Sequence, residues 1–121
     1  MFDFHGFFQP VDNDGVFNVV KAGQAIPVKF DLSGNQGLNI FTTGYPKSTV
    51  VPCSGSVASD VLEETVTAGS SSLNYDTTVN PPIGQYIYVW KSEKAWAGTC
   101  RRLDVKLIDG TTHSANFNFT R

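Results

Sequence analysis

Residues 102–119 read RLDVKLIDGTTHSANFNF, and their spacing decides the fold class. Leu103, Val105 and Leu107 alternate with Arg102, Asp104 and Lys106. A repeat of two sends successive side chains to opposite faces, as in a strand buried on one side. Asp109-Gly110 follows, a pair suited to a tight turn because glycine takes positive φ without steric cost. Ala115, Phe117 and Phe119 then alternate with Asn116 and Asn118 on a return strand. The stretch predicts a β-hairpin with one apolar and one polar face.

The same period recurs along the chain. In IPVKFDL, residues 26–32, Ile26, Val28, Phe30 and Leu32 face one way while Pro27, Lys29 and Asp31 face the other. Pro27 marks an edge strand or a strand start, since proline has no N–H for the ladder. QYIYVWK, residues 85–91, puts Tyr86, Tyr88 and Trp90 on one face and Ile87 and Val89 on the other. With both faces apolar, that strand is expected at the centre of a sheet and covered on both sides. Shorter strand candidates are FDFHGFF, VFNVVKAG, LNIFTTG, STVVPC, DVLEETVTAG and SLNYDT. SDVLEE, residues 59–64, is the one place where a helix could open, with Ser59 as cap. The β-branched Thr65, Val66 and Thr67 argue against a long helix there. Seven or eight short strands between turn signals predict an all-β, immunoglobulin-like antiparallel sandwich.

With 121 residues the chain is expected to form one domain with a core of its own. It is 40% hydrophobic and 17% charged, with 11 Gly and 6 Pro, which suits a turn-rich extracellular β-protein. A net charge of −2 gives no electrostatic reason to expect nucleic acid or an anionic membrane as partner. No apolar run is long enough to span a membrane as a helix, and no export signal is visible. FDFHGFF directly after Met1 reads as a strand entering a domain. Residues 1–12 are therefore expected to be a leading strand or a linker from a preceding domain of a longer secreted protein.

Cys53 and Cys100 stand 47 residues apart, each in or beside a predicted strand. Neither belongs to a C-x-x-C pair, and His5 and His113 are the only histidines, which speaks against a zinc site. A Cys–His nucleophile needs only closeness in space, so spacing alone does not decide against it. An even cysteine count in an extracellular-looking chain favours a disulfide, with Trp90 or Trp96 packed near it.

Taken in order, FFQPVDN, VKAGQAIPVKFDL, GLNIFTTGYP and YVWKSEKAWAGTCRRLDVKLIDGTTHSANFNF resemble the PxKF family of small bacterial domains. Its name-giving tetrapeptide is Pro27, Val28, Lys29 and Phe30 here. The resemblance implies a non-catalytic domain near the C-terminus of a secreted or surface multidomain protein, beside immunoglobulin-like or hyalin-repeat modules. It also implies that both cysteines belong to the family pattern. VDNDGVFN departs from that pattern, because many members carry prolines after the Asn.

Several residues could carry chemistry. Asp12, Asn13 and Asp14 before Gly15 offer oxygens to calcium, although the acids that complete an EF-hand loop are missing. The plainer reading is a turn closed by its own side chains. Glu63 and Glu64 are adjacent and so face opposite ways in a strand. Glu64 with Asp60 would pair across a glycosidic bond only on a helix, and solvated surface charges are the plainer reading. Tyr86, Tyr88 and Trp90 could present flat rings to a sugar or equally form half of the core. Their larger burial favours the core. Trp96, after Glu93 and Lys94, is the better exposed candidate, followed by Tyr45. Lys29 could form an isopeptide bond only if buried and neutral beside an acid, with Asn116 or Asn118 as partner.

These observations lead to one expectation. The chain is a non-catalytic extracellular module, a spacer or adhesion domain whose partners are neighbouring domains and a glycan or surface-protein ligand. It has no cofactor unless calcium binds. The alternative is a carbohydrate-binding module using Trp96, Tyr45 and the Tyr86–Tyr88–Trp90 stripe. No nucleophile elbow, phosphate loop or metal-ligand spacing is present in the sequence.

Overall fold

The computed structural model describes residues 2–8, 11, 16–53, 57–61, 72–78 and 84–121, and for 57–61 the backbone only. Among these, the strands are β1 (His5–Phe8), β2 (Phe17–Lys21), β3 (Ala25–Asp31), β4 (Lys47–Val51) and β5 (Val57–Val61). They continue with β6 (Ser72–Asp76), β7 (Gln85–Lys91), β8 (Cys100–Lys106) and β9 (Thr112–Thr120). One 3-10 turn, Lys94–Trp96, interrupts them between β7 and β8. A four-stranded sheet in the order β1-β3-β7-β6 faces a five-stranded sheet in the order β4-β8-β9-β2-β5. The fold is an all-β sandwich.

The alternations noted above set which faces meet. Ile26, Val28, Phe30 and Leu32 are at most 2% exposed, and Leu103, Val105, Leu107, Phe117 and Phe119 at most 1%. They form one core with Tyr86, Tyr88 and Trp90. The 102–119 hairpin is β8 and β9. Gly110 at φ 92° closes its turn, with the Gly110 N–H donating to the Leu107 carbonyl at 3.0 Å.

The sheets depart from the expectation in four places. First, the sandwich is not wholly antiparallel: β2 runs parallel to both β9 and β5. Asn18 of β2 pairs with Phe117 and so points inward, where it is 1% exposed. Its amide donates to the Asn116 carbonyl at 2.9 Å, which meets part of the cost of burying a polar group. Second, Pro27 is not on an edge strand, since β3 lies between β1 and β7. β1 pairs only with Lys29, Phe30 and Asp31, so on that side no ladder partner faces Pro27, which on the other side sits opposite Val89 of β7.

Third, β7 is central in its sheet, yet Ile87 and Val89 remain partly exposed on its outer face. No second layer covers that face among the described residues. Fourth, LNIFTTG contributes a single bridge, Phe41 to Leu107, rather than a strand. Ser59 lies within β5 and caps no helix.

The leading segment is part of the fold rather than a linker. Phe4 lies between Phe30 of the first sheet (5.4 Å between ring centres) and His113 of the second (3.6 Å). It therefore joins the two sheets. An isopeptide bond from Lys29 to Asn116 or Asn118 is ruled out by the same geometry. With Val28 and Phe30 buried, Lys29 faces outward from the first sheet. With Phe117 and Phe119 buried, the two asparagines face outward from the second, and the core separates them.

Cys53 and Cys100 form a disulfide with Cα atoms 5.3 Å apart. Cys100 begins β8 opposite Val51, the last residue of β4. The bond therefore ties the end of an edge strand to its neighbour within one sheet and does not cross between sheets.

Candidate functional site

The aromatic stripe of β7 is inside the sandwich. Tyr86 is 0%, Tyr88 9% and Trp90 5% exposed. Tyr86 accepts a hydrogen bond from the Gln36 N–H at 2.7 Å and donates to the Gly37 carbonyl at 2.8 Å. Its phenol thus anchors the loop after β3, and burial pushes its pKa up. Trp90 meets Phe117 at 5.1 Å and Phe119 at 5.9 Å between ring centres. These three rings offer no face to a sugar, because all three are buried in the core.

Trp96 is half-buried, more accessible than the β7 stripe. The 3-10 turn is closed by the Trp96 N–H donating to the Glu93 carbonyl and the Ala97 N–H to the Lys94 carbonyl. Gly98 at φ 81° then turns the chain so that its N–H reaches the Phe119 carbonyl at 2.8 Å. This folds Trp96 back onto Trp90 (5.7 Å) and Phe119 (5.4 Å). The Arg101 guanidinium stands over the ring, 4.1 Å from its centre, as a cation–π contact.

Arg101 is the residue that the sequence reading passed over. It pairs with Phe117 on β9 and Val50 on β4, so it shares the inward face of the second sheet. At the β4 edge, however, Val50 on that face is 59% exposed, so the first sheet does not extend over it. The Arg101 Nη1 donates to the Ser48 hydroxyl at 3.3 Å, while its Nε is buried without a hydrogen-bond partner. The signal was legible: of two consecutive arginines in a strand, one must share a face with Leu103.

The outer face of the same two strands is also cationic. Tyr45 is half-buried, with the amines of Lys47 and Lys106 at 4.9 and 5.7 Å from its ring centre. Asp104 is 7% exposed and accepts from Arg102 at 2.9 Å and from the Ser114 hydroxyl at 2.6 Å. β4 and β8 together carry Lys47, Arg101, Arg102 and Lys106 against the single carboxylate Asp104. In a chain of net charge −2, that is a local excess of positive charge.

Comparisons with protein-family models, curated proteins and solved structures find no match.

A second polar cluster surrounds the leading segment. The His5 Nδ1 lies 2.8 Å from an Asp31 oxygen, and Asp3 is 3.8 Å from its Nε2. The hydrogen bond to Asp31 raises the His5 pKa. His113, stacked under Phe4 and 3.1 Å from the Thr111 hydroxyl, has its pKa lowered by burial, opposed by the charge of Asp109. Asp109 accepts from the Thr111 N–H and hydroxyl and from the Phe2 N–H, and the Thr111 hydroxyl bond leads in lowering its pKa to about 2.

The two histidines predict opposite pH limbs. The His113 contribution is complete above its unfolded pKa of about 6.5 and is lost as pH falls through its depressed folded value. The His5 contribution is complete below about 6.5 and is lost as pH rises through its raised folded value. The His5 limb should be small, since solvent screens an exposed pair. Melting temperature measured from pH 5 to 8 should therefore fall on the acid side. In His113→Gln that acid-side fall should shrink, and an unchanged profile would count against burial of the neutral ring.

Among the described residues, no group of three or more His, Cys, Asp and Glu side chains could hold a metal ion. The calcium candidates Asp12, Asn13 and Asp14 lie outside the described residues, as do Glu63, Glu64 and the side chain of Asp60. No described helix is long and apolar enough to cross a membrane.

Proposed function

We propose that this domain is a non-catalytic spacer and interaction module of an extracellular multidomain protein, as the PxKF resemblance implies. The observation that carries the reading is where the chain enters and leaves the sandwich. The Phe2 N–H bonds to Asp109 in the turn before β9, and Arg121 follows directly after β9 ends. Nine residues of strand separate those points, roughly 30 Å at the usual rise. Phe2 and the end of β9 therefore lie toward opposite ends of the sandwich, a placement that suits domains strung in series.

Two further features support it. The disulfide suits an oxidising compartment. The order β1-β3-β7-β6 facing β4-β8-β9-β2-β5 is compatible with an immunoglobulin-type arrangement, although in that arrangement the bridge crosses between sheets. The glycan alternative is less well supported, because Tyr86, Tyr88 and Trp90 are in the core and Arg101 stands over Trp96.

A replacement experiment in the longer chain tests the reading. Exchanging residues 2–121 for an unrelated disulfide-bonded sandwich with similarly placed ends should preserve the separation-dependent function of the neighbours. A flexible Gly/Ser linker of equal residue number should not. Failure of the unrelated sandwich would show that spacing alone is not what the domain provides.

A further inference from the structure

We infer that the edge of β4 away from β8, which no described strand pairs with, is a docking site for an extended acidic peptide segment, which adds a strand there and places a carboxylate on Arg101. The inference does not depend on the spacer reading. It starts from hydrogen bonding: β4 pairs with β8 on one side and with no described strand on the other. Among the described residues nothing pairs with its outward backbone groups, the arrangement by which sheets capture extended peptides.

The side chains along that edge say what the strand should carry. On the inward side, Val50 is 59% exposed, an apolar surface that the first sheet leaves uncovered. Behind it Arg101 leans across β4, since its Nη1 reaches the Ser48 hydroxyl. Its guanidinium has no carboxylate partner among the described residues, its Nε has no hydrogen-bond partner, and Trp96 backs it. A planar fork held against an aromatic ring with donors to spare is suited to a carboxylate. On the outward side Lys47 lines the same edge, with Lys106 beside it at Tyr45. Acidic residues of either parity in an added strand would therefore meet a cation.

A peptide is favoured over an acidic glycan for two reasons. Unpaired strand groups and an apolar Val50 are of use to a polypeptide. The Trp96 face that would stack on a sugar is already taken by Arg101.

The test uses a fluorescein-labelled ten-residue peptide alternating Ser with Val and Glu, and the same peptide with Lys for each Glu. Fluorescence polarisation on the folded domain should show binding of the Glu peptide only, weakened by added salt. Arg101→Gln should weaken it at least tenfold. Val50→Glu, at an exposed position that leaves the core untouched, should also weaken it by like-charge repulsion, which keeps the test open if the Arg101 variant fails to fold. Hydrogen exchange at residues 47–51 should slow when the peptide is bound. Equal affinity for the Lys peptide, or Glu-peptide binding indifferent to Val50→Glu, would overturn the proposal. So would binding of an oligouronate and no peptide, which would make the edge a glycan site.

Discussion

Trp90→Ala should be the most damaging single substitution at an aromatic position, costing about 3–5 kcal/mol. Trp90 is 5% exposed and packs edge-on against Phe117 and Phe119 of the opposite sheet. Truncation leaves a cavity between two sheets whose backbones are held by their own ladders, so the void cannot close cheaply. Against a total stability of about 5–15 kcal/mol, that loss brings the domain close to unfolding. Trp96→Ala should cost clearly less, because the ring is half-buried and is covered in part by the Arg101 guanidinium rather than by core side chains. It should not be neutral, since Trp96 also lies against Trp90 and Phe119. Urea unfolding of both variants gives the order directly. If Trp96→Ala proved the more destabilising, the 3-10 turn rather than the β7 stripe would be the keystone of this end of the core.

Reduction of the disulfide should lower stability by about 4 kcal/mol on the chain-entropy account for a separation of 47 residues. For a domain of this size the melting temperature should fall by roughly 10–20 °C. The two cysteines should not respond alike to substitution. Cys53 is exposed, whereas Cys100 is 0% exposed. Cys53→Ser removes the bridge and leaves a buried thiol, which behaves as a small apolar group. Cys100→Ser removes the bridge and also buries a hydroxyl, adding about 1–3 kcal/mol if that group finds no partner. Loss of the bond should be felt first at β4, which then keeps the β8 ladder and the Arg101–Ser48 hydrogen bond. Thermal melts with and without reductant, with hydrogen exchange at residues 47–51, check both statements. Identical melts would mean that the bridge constrains little in the unfolded chain.

How much could be read beforehand differs from element to element. The β8–β9 hairpin was legible residue by residue, since alternation and an Asp-Gly turn act over distances of a few residues. The inward set of β3 and the burial of Trp90 followed from the same local rule. The cysteine pairing was legible because a count of two leaves one intramolecular bond. The partners of Trp96 were not legible in that way. Charged neighbours before it and a glycine after it pointed to a ring at least partly accessible, as the half-buried ring is, but not to the turn that folds it onto Phe119, 23 positions further along the chain. Nor did period alone foretell that residues 2–8 would bridge the sheets through Phe4.

What the amino-acid order determined by itself was therefore the identity of most strands, the face each presents and the all-β class. These depend on side-chain period and on turn residues, both of which are local. Only the tertiary structure decided which strands became neighbours, that β2 would run parallel to β9 and β5, and that β4 would form an edge extending past the opposing sheet. Strand order depends on which buried faces fit together across the whole domain, and no period within one strand carries that information. Arg101 shows the consequence: its inward direction is a matter of alternation, but the opening beside Val50 exists only because one sheet is wider than the other.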